Sequence, residues 1–177
     1  ILLFLNENLN QRQQIVYTRS EDGQDWTEPE IFEPEPAVGI TFLPSHTSVG
    51  GKDFVVFQGL NVTQRATYQL YLKMSEDGGK TWTTARRMTT VADPTLNPNP
   101  DNFDNQRPFL APKPDGSGVF LLWERRLGTG NPQVYLYELS TDGEPQSIIQ
   151  EVTSRFEVAR FPTMVVYQDT PILLWFT

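Results

Sequence analysis

Ser75-Glu76-Asp77-Gly78-Gly79-Lys80-Thr81-Trp82 is the stretch that decides how this chain of 177 residues is read. A β-prone run, Gln69-Leu70-Tyr71-Leu72-Lys73-Met74, leads into it, and the octet itself has the composition of a turn. The short Asp77 side chain can accept hydrogen bonds from backbone N–H groups two or more residues on, which closes a loop. Glycine supplies the positive φ that such a loop needs. The Ser75 hydroxyl can bond the same loop, and Trp82 offers a large apolar face to cover the hairpin. The pattern recurs. Gln14-Ile15-Val16-Tyr17-Thr18-Arg19 leads into Ser20-Glu21-Asp22-Gly23-Gln24-Asp25-Trp26, one residue shorter. Val134-Tyr135-Leu136-Tyr137-Glu138-Leu139 leads into Ser140-Thr141-Asp142-Gly143, which has no Trp. Ser20, Ser75 and Ser140 stand 55 and 65 residues apart.

Further apolar runs fall in the same phase. One precedes each serine turn, at 1–5, 54–57 and 119–123, and an earlier one lies at 40–43, 109–111 and 164–166. A short run follows each turn, at 31–32, 88 and 148–149, and the run at 172–176 has no turn after it. No window sustains the i, i+3, i+4, i+7 pattern of a helix, and 14 Pro and 12 Gly would interrupt one. Many short strands at a fixed period predict a repeat architecture, with a unit somewhat above the ~40–50 residues of common propeller repeats. The expected fold is all-β: a single β-propeller segment, 1–177, of about three four-stranded antiparallel blades. Their approximate bounds are 1–36, 37–92 and 93–153, with the start of a further blade at 154–177. Strand counts are expected to run three, four, four and two. Closed propellers have about 4–8 blades, so the missing ones are expected from the rest of a longer chain or from a second copy. Apolar runs at both ends read as strands already in progress, which is also expected of a piece of a longer protein.

Ser75 to Trp82 fits S-x-D-x-G-x-T-W in full and resembles the Asp-box, or BNR repeat, of sialidases and other β-propellers. The resemblance implies a six-bladed propeller, of which this chain would form about three blades, and a turn joining the third and fourth strands at the blade periphery, away from the substrate face. Ser20, Asp22, Gly23 and Trp26 are therefore expected to be structural, as are Ser75, Asp77, Gly79 and Trp82, and Ser140, Asp142 and Gly143. It also implies an Arg-x-Pro element on the first strand of a blade. Arg160-Phe161-Pro162 matches it, and Arg107-Pro108 matches it without the intervening residue. Leu121-Leu122-Trp123-Glu124-Arg125-Arg126 is similar to the stretch that carries a second pocket arginine. Arg107, Arg126 and Arg160 are thus the candidate clamp for a ligand carboxylate, which two guanidinium groups can hold bidentately. The alternative is structural ion pairing, with Glu124 and Glu157 as near neighbours. A sialidase also needs an acid in the loop that follows. Leu127-Gly128-Thr129-Gly130-Asn131-Pro132-Gln133 has none, and Asn131 cannot exchange a proton at neutral pH. Tyr17, Tyr71, Tyr135 and Tyr137 fall in strands, where packing is the expected role.

Composition narrows the remaining classes. There are 14 Lys and Arg, 22 Asp and Glu, one His and no Cys, for a net charge of −8. Disulfides, thiolate zinc sites and Cys nucleophiles are excluded, and an acidic chain is a poor partner for nucleic acid. No apolar run approaches the ~20 residues of a membrane helix. His46, within 43–48, is expected on a surface loop between strands. The Pro- and Asn-rich stretch 93–105 lacks the D-x-D-x-D-G spacing of a calcium loop and is expected to be a rigid connection, so no metal and no cofactor are assigned. Asn61-Val62-Thr63 has the form of a glycosylation sequon, and 28–36 is an acidic, proline-spaced linker expected to stay solvated. The expected function is a non-catalytic ligand-binding or scaffolding module of a larger exported protein, extracellular, on the cell surface or periplasmic, with a glycan or protein ligand. The alternative is a fragment of a sialidase-type glycoside hydrolase, an exo-sialidase, built around the arginine clamp.

Overall fold

A computed structural model of the chain describes residues 1–6, 13–32, 38–61, 67–154 and 157–177. Four antiparallel sheets follow one another along the sequence, each a simple meander. The first contains β1 (Leu2–Asn6), β2 (Gln14–Thr18) and β3 (Glu30–Ile31). The second contains β4 (Val38–Val49), β5 (Lys52–Asn61), β6 (Gln69–Ser75) and β7 (Arg86–Arg87). The third contains β8 (Phe103–Pro112), β9 (Gly118–Leu127), β10 (Gln133–Ser140) and β11 (Gln150–Glu151). The last is a hairpin of β12 (Arg160–Tyr167) and β13 (Thr170–Phe176). Among the described residues the strand counts are three, four, four and two, in the order read from the sequence. The fold is all-β and forms part of a propeller. Residues 33–37 of the acidic linker and Val62 and Thr63 of the sequon lie outside the described residues.

Two details differ from expectation. His46 is not in a loop: β4 continues through it, and His46 lies opposite Val55. Pro44 makes a bulge in the strand rather than ending it, because its neighbour Leu43 absorbs the irregularity with φ 50. The outer strand of the third sheet is Gln150–Glu151, paired with Tyr135 and Leu136, so Ile148 is left exposed in the approach to it.

The sheets stack face to face, which explains why the second strands are continuous apolar runs. In β5 the successive residues Phe54, Val55, Val56 and Phe57 are all fully buried. Alternation sends Phe54 and Val56 towards the third sheet, where they join Leu121, Trp123 and Leu139. Val55 and Phe57 face the first sheet and join Ile15, Tyr17 and Phe32. Burying each such side chain contributes about 1.5–3 kcal/mol. A third cluster, Leu122, Val134, Ala159 and Met164, joins the third sheet to the hairpin.

Polar ties reinforce the stacking. The third strands begin with glutamine, and two of these repeat one bonding scheme. Gln69 Nε2 donates to the Phe103 carbonyl at 2.9 Å, and its Oε1 accepts from Thr89 Oγ1 at 2.7 Å. Gln133 Nε2 donates to the Glu157 carbonyl at 2.7 Å, and its Oε1 accepts from Thr153 Oγ1 at 2.7 Å. Each buried amide thus fastens its own outer edge and the entry of the next sheet, with both its oxygen and its nitrogen bonded.

The serine turns stand at the same place in three successive sheets, just before the short outermost strand. Asp77 Oδ1 accepts from the N–H groups of Lys80 and Thr81 at 3.0 and 2.9 Å, and Oδ2 from Thr81 Oγ1 at 2.7 Å. Ser75 Oγ donates to Asp77 and accepts from Gly79 N–H, both at 2.8 Å. The Thr81 hydroxyl above all, with these other donors, holds the Asp77 carboxyl well below the usual carboxylate range. Asp22 is held the same way by the N–H groups of Asp25 and Gln24, at 3.0 and 2.9 Å, and its carboxyl is also lowered. The third turn closes differently. Ser140 Oγ accepts from Asp142 and Glu144 N–H groups, while the Asp142 carboxylate turns out to Lys52 of the second sheet at 2.7 Å. Gly143 there has φ 74, and a Cβ would fall 2.6 Å from Met74 Sδ, so any larger residue would be strained and would displace Met74. Trp82 packs edge-on to Phe32 and Tyr17 as a lid, whereas Trp26 stays half exposed.

Candidate functional site

The first strands of the last three sheets lie side by side, β4 against β8 and β8 against β12. Each carries the same irregularity. Pairing slips between Phe42 and Ser45, between Gln106 and Phe109, and between Arg160 and Thr163. In each slip the residue before a proline is left-handed: Leu43 at φ 50, Arg107 at φ 51 and Phe161 at φ 52. Such a backbone costs a side-chain-bearing residue about 1–3 kcal/mol, and a following proline favours extended geometry instead. The preceding sheet holds the bulge in place. The Arg107 N–H donates to Gln58 Oε1 at 3.0 Å, and the Phe161 N–H donates to Glu124 Oε1 at 2.5 Å. Gln58 and Glu124 occupy equivalent positions on β5 and β9 and are 1% and 4% exposed.

This register changes the alignment of the arginines. Arg160 lies opposite Phe176 as Gln106 lies opposite Glu124, so Arg160 is the counterpart of Gln106. Arg107 is the counterpart of Phe161 and Leu43. Arg107-Pro108 is therefore not a shortened copy of Arg160-Phe161-Pro162, because the two arginines stand one residue apart in the bulge.

The structure nevertheless brings Arg107, Arg126 and Arg160 to one cleft of about 160 Å³, together with Asp104, Gln106, Glu124 and Arg125. Two of the three arginines are already paired. Arg107 Nη1 donates to Glu124 Oε2 at 2.8 Å and its guanidinium lies 4.5 Å over the Phe161 ring. Arg126 donates to Asp104 Oδ2 through Nε and Nη2, both at 3.2 Å. Glu124, the sequence neighbour of Arg126 in the ion-pairing alternative, does not pair with it, because Glu124 sits across from Gln106 and the bulge turns Arg107 towards it. Both carboxylates are fully engaged: Asp104 also accepts from Tyr68 N–H at 2.8 Å and from Gln106 Nε2 at 2.5 Å. Arg160 is exposed, and no hydrogen bond or ion pair to its side chain is found among the described residues. Glu157, its acidic neighbour in sequence, is turned so that its carbonyl accepts from Gln133.

Sequence reading missed Asp104 and Arg125. Asp104 was hidden in the polar stretch 93–105; only the strand register, which sets it opposite Arg126, reveals it. Arg125 is buried between aromatic rings, 4.0 Å from the Phe103 centroid and 5.2 Å from that of Tyr135. Its Nη2 donates to the Val91 carbonyl at 2.6 Å, its Nε has no partner among the described residues, and burial lowers its pKa. Alternation along β9 could have found it, since Trp123 and Arg125 share a face with Tyr135 of β10. Four guanidinium groups meet two carboxylates here, an excess of two positive charges on a chain of net charge −8.

Other groupings lack the geometry for chemistry. His46, Ser48 and Asp53 meet, yet the His46 Nε2 and the Ser48 hydroxyl both bond Asp53 Oδ1, at 2.9 and 2.6 Å. A nucleophilic relay needs the serine and the carboxylate on opposite ring nitrogens. Among the described residues no cluster of three or more His, Asp or Glu is placed to hold a metal ion. No helix among them is long and apolar enough to cross a membrane.

No protein-family model matches the chain, and no curated protein matches it. Solved structures do. Zg3597, a family 117 glycoside hydrolase of the marine bacterium Zobellia galactanivorans, superposes with a TM-score of 0.63 at 14% identity, over 93% of this chain and 49% of that one. The chain shares the fold of propeller glycoside hydrolases. A thermostable family-43 glycoside hydrolase gives 0.58 at 11% identity, over 93% of this chain and 55% of that one. The α-L-arabinanase of Penicillium chrysogenum, in complex with arabinobiose, gives 0.50 at 18% identity, over 80% and 41%. The chain spans about half the length of the solved structures it matches.

Proposed function

We propose that the chain is a non-catalytic, Asp-box-type propeller module of an exported protein, and that its arginine cleft binds the carboxylate of an acidic glycan. The observation that carries this reading is Arg160, a guanidinium without a described partner in a cleft with surplus positive charge. A planar guanidinium holds a carboxylate by two charge-assisted bonds, and the local field favours an anion even on an acidic protein. Absence of catalysis is supported by the state of the carboxylates. A general acid or base must exchange a proton with substrate. Both oxygens of Glu124 and both of Asp104 instead accept bonds that tie strands and sheets together. The loop 127–133 offers no acid in their place. The two bonded carboxylates at Asp22 and Asp77, each at the same corner of its sheet, support the Asp-box reading of the turns.

One observation favours a second reading, a segment of a glycoside hydrolase: the fold is shared with enzymes of that kind. The sialidase-type version of it draws on Arg160-Phe161-Pro162, and its acid and nucleophile would have to come from residues outside this sequence. Titration with 3′-sialyllactose and with lactose separates the two. Binding of the acidic sugar alone is expected, weakened at least tenfold by Arg160→Ala, with no turnover of a fluorogenic sialoside or arabinofuranoside. Equal binding of lactose would sink the carboxylate reading. Turnover that disappears in Arg160→Ala would replace the module with the enzyme.

A further inference from the structure

The three bulges do more than deliver Arg160 to the cleft. Leu43, Arg107 and Phe161, the left-handed residues, converge with the prolines that follow them on one cavity of about 230 Å³. It lies where β4, β8 and β12 meet, and apart from Arg107 its wall is apolar. Leu43 is 47% exposed and Phe161 51%, so three unfavourable backbones are maintained in register and two of them leave a large apolar side chain in solvent. Left-handed residues that carry side chains persist where surrounding structure fixes them, and they gather at ligand sites. The cavity adjoins the arginine cleft, since Arg107 lines both and Phe161 follows Arg160 directly.

We propose that this cavity seats the ring of the sugar whose carboxylate meets Arg160, between the apolar walls formed by Phe161 and Leu43. The inference rests on the acidic-glycan reading of the cleft. A sugar ring presents one face of C–H groups, which pack against an apolar wall while its hydroxyls stay free for polar partners. A concave, mainly apolar wall with one convergent polar group is the common form of a small-ligand site. Arg107 supplies that polar group: its guanidinium is held over Phe161 and braced by Glu124, leaving donors for ring hydroxyls. Phe176 meets the Phe161 ring edge-on at 5.9 Å and fixes its plane from the hairpin side. One backbone position, repeated in three sheets, therefore presents an apolar, a cationic and an aromatic side chain to a shared seat and sets its specificity.

Saturation-transfer NMR on the unaltered chain with 3′-sialyllactose reads the seat directly. Transfer concentrated on the C–H protons of the sialyl ring is expected, and transfer spread evenly over the trisaccharide overturns the proposal. Affinity gives a second reading. Phe161→Ala is expected to weaken binding at least tenfold, Phe161→Tyr to leave it within about twofold, and Leu43→Trp, which fills the cavity, to abolish it. Melting temperature and amide fingerprints check that each variant folds. Loss in Arg160→Ala without loss in Phe161→Ala and Leu43→Trp overturns the seat and leaves the carboxylate reading standing. Loss in the latter two with Arg160→Ala unaffected supports the seat and overturns the carboxylate reading. Failure of the unaltered chain to bind 3′-sialyllactose overturns both.

Discussion

The second strands of three sheets carry nearly the same sequence and meet opposite surroundings. By the register of the bulges, Val55-Val56-Phe57-Gln58 of β5, Leu121-Leu122-Trp123-Glu124 of β9 and Leu173-Leu174-Trp175-Phe176 of β13 occupy equivalent positions. The first two quartets are buried throughout. In β13, Trp175 is 38% exposed, Leu174 50% and Phe176 72%. An apolar run in this chain therefore marks a place within a sheet, and neighbouring sheets decide whether that place is dry. The fourth position teaches a second lesson. Gln58 and Glu124 point an acceptor at the bulge of the following sheet, whereas Phe176 has no acceptor to offer and meets Phe161 of its own hairpin edge-on.

The largest effect tests burial. Phe57→Ala removes a fully buried ring between two sheets and is expected to cost about 3–5 kcal/mol in urea denaturation. Trp175→Ala, at the equivalent place in β13 but 38% exposed, is expected to cost only about 1–2 kcal/mol. Equal costs would break the comparison and mean that the outer face of the hairpin is covered in solution.

A smaller effect tests the bulge acceptor. Glu124→Ala leaves the Phe161 N–H without its partner and Arg107 without its counter-charge, and should cost about 3 kcal/mol. Glu124→Gln keeps an acceptor of the kind that Gln58 already provides in the preceding sheet and should cost about 1 kcal/mol. Thermal unfolding with amide exchange at Phe161 measures both. If the amide substitution is as costly as the truncation, the charge rather than the hydrogen bond holds the bulge.

The period of the sheets was legible because a turn closed by its own side chain leaves a local signature. Ser75, Asp77 and Gly79 bond within five residues of one another, so their spacing alone announces them. The strand runs were legible for a related reason: sheets covered on both faces need continuous apolar sequence, as at 54–57. The cleft was only half legible. Arg107, Arg126 and Arg160 stood out as residue types, but which carboxylate each would meet depends on register. That register is set by three bulges whose left-handed residues, Leu43, Arg107 and Phe161, carry no glycine to betray them. Asp104 was missed for the same reason, since Arg126, its cross-strand partner, is distant in sequence, and Arg125 because the Val91 carbonyl it meets lies outside the strands.

The smallest effect sets two turns side by side. In the second sheet Asp77 closes its turn as a carboxylate, while the hairpin turn between β12 and β13 is shaped by left-handed backbone at Gln168 and Asp169, φ 46 and 61. The Asp77 carboxyl is lowered in the folded chain, chiefly by the Thr81 hydroxyl. Its contribution to stability is then complete above the ordinary aspartate value of about 3.9 and is lost as pH falls below that towards the folded value. Amide protection at Lys80 and Thr81 should therefore weaken as pH drops from about 5 towards 2 relative to protection at Thr170. Asp77→Asn should show the weakened turn already at neutral pH and no further change on acidification. The group is fully exposed, so the change should stay local and leave the bulk of unfolding nearly unmoved. An equal acid response in the two turns would mean that the bonded carboxylate does not distinguish the second sheet from the hairpin.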